Sequence, residues 1–127
     1  MEDHHEIALL TYLQLAVISH DKKQFNGRNK LLVLAAREAC RAGLMQYAEP
    51  CRELILANNP QHALSNYGDF VEAVRSEDFQ ALLDRLEKQM PFEKAEYLLE
   101  AQGESFKEKN EEVSPLIERL VSRMKQD

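Results

Sequence analysis

A chain of 127 residues is long enough for one hydrophobic core and too short for several. With 44% hydrophobic and 30% charged residues but only four Gly and four Pro, its balance is that of a helical domain, not of a strand-and-turn fold. The net charge of -6 argues against nonspecific nucleic-acid binding. No apolar run approaches the roughly 20 residues of a membrane span or has the build of a secretory leader, so a soluble, cytoplasmic chain without membrane contact is expected.

Asp3 and Glu6 have capping-box spacing and start a helix that runs through Ile18. That helix is apolar on almost every side. Either other helices surround it, or one stripe of it is a self-association surface. Ser19 to Arg28, with Asn26-Gly27, reads as a polar loop.

From Leu31 to Ala42 the polar residues Arg37, Glu38 and Arg41, with Lys30, fall on one narrow side of a helical period. The rest of the circumference is Leu, Val, Ala and Cys, so this helix must be covered on several sides and is central. Gly43 sits where a left-handed residue ends a helix at no steric cost. Pro50 limits the next helix to a start between about Gln46 and Glu49. Cys51, Leu54, Ile55 and Leu56 form its inner face, and Asn58-Asn59-Pro60 closes it. Cys40 and Cys51 stand at unequal distances from the Gly43 turn and read as small, unbonded core residues in a reducing compartment.

The stretch Leu31–Pro60 resembles a tetratricopeptide-repeat hairpin. Ala48 stands for that family's small residue early in the second helix, and Leu56 to Pro60 for its closing Leu-x-x-x-Pro. Pro91 follows Pro60 at close to the family's period of roughly 34 residues. Leu32 and Ala39 replace its large aromatics. The resemblance implies stacked antiparallel hairpins whose first helices line a groove for an extended ligand. Ala39 to Gly43, followed by Leu44, is also similar to the core of a DNA-binding helix-turn-helix. Glu49, Arg52 and Pro50 then stand where that family needs apolar anchors and an unbroken recognition helix.

After Pro60 a short helical turn, Gln61-His62-Ala63-Leu64, is expected with Asn59 as its cap, broken by Ser65-Asn66-Tyr67-Gly68. Asp69 with Glu72 makes a capping box before Phe70. Ser76 caps a longer helix through Leu86, and Pro91 opens another that Gly103 stops. Residues 103–113 form a charged linker, and 114–127 form a terminal amphipathic helix capped at Ser114 with Leu116, Ile117, Leu120, Val121 and Met124 on one side. That helix folds back on the core or reaches into another subunit.

His4, His5, His20 and His62 read as surface or capping residues, since no His or Cys spacing suits a metal. Phosphate loops and nucleophile elbows are absent, and the carboxylates are interleaved with Lys and Arg at surface-pair spacing. Neither a cofactor nor a catalytic residue is implied.

Charge is distributed unevenly. Between Asp21 and Arg52 there are seven Lys/Arg against three acids, and from Asp69 onward fifteen acids against nine bases. The sequence therefore predicts an all-α domain over residues 1–127, with about six to seven helices in antiparallel hairpins. Its expected function is non-enzymatic protein–protein interaction, as a small adaptor or scaffold. Lys30, Arg37 and Arg41, on one ridge of the central helix, and Tyr67, in an aromatic–Gly–Asp loop, are the candidate binding residues for an acidic partner segment. Homo-oligomerisation through the N-terminal or C-terminal helix stays open. The alternatives are a helix-turn-helix regulator and a helical enzyme or metal protein without a visible motif.

Overall fold

The computed structural model describes residues 4–106 and 112–125. They form seven α-helices: α1 (His4–Asp21), α2 (Phe25–Arg41), α3 (Ala48–Asn58), α4 (Phe70–Val74), α5 (Glu77–Gln89), α6 (Phe92–Ala101) and α7 (Val113–Lys125). Two 3-10 turns, Met45–Tyr47 and Ala63–Asn66, complete the set, and the described residues contain no strand. The all-α class with about seven helices is the one expected. Of the Asp3–Glu6 capping box, Asp3 lies outside the described residues; Glu6 is in the first turn of α1.

The most extensive helix pair is α1 with α2, ahead of the α2–α3 hairpin. α1 is also covered by α6 and α7, and Ala8 to Leu13 are all buried. Its nearly all-round apolar surface is thus covered within the chain. Burial there confines even the Tyr12 hydroxyl, which donates to the carbonyl of Met90 at 2.8 Å. α2 lies between α1, α3, α4 and α5, and every residue from Leu31 to Ala39 is buried. α7 packs against α1 and α3 of its own chain through Leu116, Ile117, Leu120, Val121 and Met124.

Three helix ends use the same stop. At Lys23, Gly43 and Gly103 the backbone takes φ of 61°, 77° and 82°. In each, the following N–H reaches back to the carbonyl five residues earlier: Gln24 to Ser19, Leu44 to Ala39 and Glu104 to Leu99. This satisfies carbonyls that the end of a helix leaves without partners.

The connection between α1 and α2 corrects the expected loop over Ser19–Arg28. α1 continues to Asp21 and α2 already begins at Phe25. Asn26 and Gly27 are poor helix formers, but they occupy a first turn whose N–H groups have no helical acceptor anyway. Phe25 holds the turn in place: its ring packs edge-on to His20 at 5.5 Å and lies under the Arg28 guanidinium at 5.1 Å. His20, expected at the surface, is buried and its Nδ1 accepts from Arg28 Nη1 at 3.0 Å.

Other starts follow the sequence closely. α3 begins at Ala48, with Pro50 in its first turn. Asp69 Oδ1 accepts from the Glu72 N–H at 2.7 Å, while Glu72 Oε2 accepts from Gly68 rather than from Asp69. Ser76 Oγ accepts from Phe79 N–H at 3.4 Å. Two expectations move by a few residues. The turn after Pro60 spans Ala63–Asn66, so Ser65 and Asn66 belong to it, and its cap is His62 rather than Asn59. α7 starts at Val113, which places Ser114 inside the helix. Of the charged linker, Gly103 to Phe106 are non-helical with Phe106 buried in the core, and residues 107–111 lie outside the described set.

Candidate functional site

A pocket of about 360 Å³ opens where the first turns of α2, the α3-to-α4 connection and α5 meet. α2 contributes Asn26, Asn29 and Lys30, whose i, i+3, i+4 spacing puts them on one face. The connection contributes Asn59 and His62, on either side of Pro60. From α5 come Leu82, Arg85, Leu86 and Gln89, again one helical face. Two cations and four side-chain amides line this pocket, and no carboxylate does.

Three of the lining side chains, Asn29, Asn59 and His62, are held by bonds that use an acceptor atom. Asn29 Oδ1 accepts from Arg28 Nε at 3.2 Å and Nη2 at 3.0 Å, and Asn29 Nδ2 donates to Asn58 Oδ1 at 2.9 Å. Arg28, itself buried, also donates to the Leu54 carbonyl at 3.1 Å, tying α2 to α3 behind the pocket. Asn59 Oδ1 accepts from the Gln61 N–H at 3.2 Å, and His62 Nδ1 accepts from the Leu64 N–H at 3.1 Å. Burial of the ring lowers the His62 pKa from its usual value. The neutral imidazole that caps the turn thus carries its proton on Nε2. What these three side chains retain is N–H, so the pocket is rich in donors.

Of the four binding residues expected from the sequence, only Lys30 lines this pocket. Arg37 is 5% exposed and its guanidinium pairs with Glu87 of α5, so it braces two helices instead of facing solvent. Arg41 is exposed but lies beside Glu38 at 3.6 Å and Glu87 at 3.8 Å, roughly 16 Å along α2 from Lys30. Tyr67 is half-buried; its hydroxyl donates to Ser76 Oγ at 2.9 Å and its ring packs edge-on to Phe79 at 5.8 Å. The basic ridge is therefore split by α5 into a braced end and an open end. Arg85, His62, Asn26, Asn29, Asn59 and Gln89 are not among the binding residues that the sequence points to. Their one visible trace is the helical spacing of polar groups at the start of α2 and along α5.

Two larger pockets, each of about 520 Å³, are mixed in charge. One sets Arg28 and Lys125 against Glu53, and the other sets Arg119 against Glu104. Nucleophile chemistry finds little support elsewhere. Burial pushes the Cys51 thiol up to about 12, and burial followed by Glu49 raises Cys40; both cysteines are free. Burial, then the Glu38 charge, raises the Tyr12 hydroxyl as well. Among the described residues no group of three or more His, Cys, Asp and Glu could hold a metal ion, and no helix is long and apolar enough to cross a membrane.

No protein-family model matches the chain, and no curated protein or solved structure matches it either.

Proposed function

We propose that this protein is a non-enzymatic interaction module that takes an acidic segment of a protein partner into the Lys30–Arg85 pocket. The observation that carries this reading is the convergence of two cations and four amides, without a carboxylate, on a chain whose net charge is -6. A locally positive cleft on an acidic molecule selects anions that the rest of the surface repels. The alternative of a DNA-binding pair formed by α2 and α3 is disfavoured by charge. α3 exposes Glu53 and half-exposes Glu49 against the single cation Arg52, a face that repels phosphate backbone.

The test uses a fluorescent hexaglutamate peptide at low salt. Lys30 and Arg85 are both exposed, so the double reversal Lys30→Glu/Arg85→Glu should leave the thermal melt nearly unchanged while weakening peptide binding by at least about tenfold. Equal affinity of wild type and variant would remove this pocket from the reading. Reversal at Arg41, by contrast, should have little effect on the peptide.

A further inference from the structure

We propose that the Lys30–Arg85 pocket is a receptor for a phosphomonoester dianion, carried by a phosphorylated side chain of the partner segment. This inference rests on the interaction-module reading and specifies which anion the pocket is built for. The first argument is charge. Lys30 and Arg85 bring two positive charges with no carboxylate among the lining residues. A phosphomonoester carries about -1.5 to -2 at neutral pH and neutralises both, whereas one carboxylate leaves a cation uncompensated.

The second argument is the direction from which donors come. α2, the α3-to-α4 connection and α5 each supply polar groups, so the donors surround the space from separate walls. A carboxylate offers its lone pairs in one plane, but a phosphate offers three oxygens spread tetrahedrally. The third is the spent acceptors. Asn29 Oδ1, Asn59 Oδ1 and His62 Nδ1 are already bonded within the protein, leaving N–H groups that match an acceptor-only ligand. The start of α2 adds the partial positive charge of a long helix at its N-terminal end. Finally, Leu82 and Leu86 provide apolar surface for the carbon that bears the phosphate.

The experiment is a ¹⁵N NMR titration of the full chain with four probes: inorganic phosphate, acetate, an end-capped phosphoserine and adenosine monophosphate. Phosphate and capped phosphoserine should give saturable shifts at Asn26, Asn59, His62 and Gln89, with acetate binding at least about tenfold more weakly. Those shifts should vanish in Lys30→Gln/Arg85→Gln, a variant whose fold is checked by the same spectra. Acetate binding as well as phosphate would overturn the phosphate preference while leaving the acidic-segment reading intact. Adenosine monophosphate binding much more tightly than capped phosphoserine would overturn the peptide source. If no anion moves these resonances the inference fails, and the hexaglutamate titration then decides separately whether the broader reading survives.

Discussion

Lys23 occupies a position that the chain elsewhere gives to glycine. At φ 61° it is the one described non-glycine residue with positive φ, and it ends α1 with the same hydrogen-bond pattern that Gly43 and Gly103 use for α2 and α6. A side chain in the left-handed region costs about 1 kcal/mol or more, partly offset by the larger unfolded-state entropy of glycine. Lys23→Gly should therefore raise stability by about 0.5–1 kcal/mol in urea unfolding. A loss of stability would mean that the Lys23 side chain contributes more than its backbone strain removes. The two glycine stops were legible because glycine itself is the signal. Nothing marks a lysine that must do the same work, so the sequence pattern ends α1 at Ile18 while the helix runs on to Asp21. Short-range caps were legible for the opposite reason: Asp69 and Ser76 bond N–H groups three residues away, and that spacing is written in the chain.

α2 shows where helical periodicity stops informing. Its apolar arc is as wide as the pattern predicts, but the middle of its polar stripe is buried too, while Lys30 and Arg41 at either end stay exposed. Glu38 is 4% exposed, receiving His5 Nδ1 at 2.9 Å, and Arg37 is clamped by Glu87. A 3.6-residue period identifies which residues share a face and not whether another helix will cover it. Because Arg37 is desolvated, removing its partner should matter more than removing the charge altogether. Glu87→Ala is expected to cost about 3 kcal/mol by stranding a buried cation. Arg37→Met should stay within about 1 kcal/mol, since Glu87 is half-exposed and turns to water. Urea unfolding of both variants reads the difference. Equal losses would show that ion-pair attraction, and not a stranded charge, dominates this contact. The charge reversal at Arg37 that the sequence would suggest for mapping a binding face is unsuitable, because it would place a third carboxylate near Glu38 and Glu87.

At the scale of the whole molecule, the last helix is part of the core. After α2, α7 covers α1 more extensively than any other helix, and it buries five apolar side chains in doing so. At about 1.5–3 kcal/mol for each fully buried side chain, their loss rivals the whole stability of an ordinary domain, about 5–15 kcal/mol. A chain cut after residue 112 should therefore lose the sharp spectral dispersion and cooperative melt of the full protein, and should self-associate through the exposed side of α1. A well-dispersed, monomeric truncation would show that α7 is an appendage. The exposed ion pair between Arg123 and Asp21, at 3.0 Å, adds little beside this burial.

The all-α class, the approximate number of helices, the stops at Gly43 and Gly103 and the caps at Asp69 and Ser76 are readable in the chain alone, since each depends on residues within a turn or two of one another. Which polar faces reach solvent depends instead on how the helices pack. Lys30 and Arg37 sit on one ridge of one helix, yet α5 covers Arg37 with Glu87 and brings Arg85 toward Lys30. Arg85 lies 55 positions beyond Lys30, and Asn59 and His62 arrive from a connection between them. A pocket assembled from three segments has no local pattern, because the approach of one helix to another is set by packing of their apolar sides and not by the polar residues that packing happens to gather.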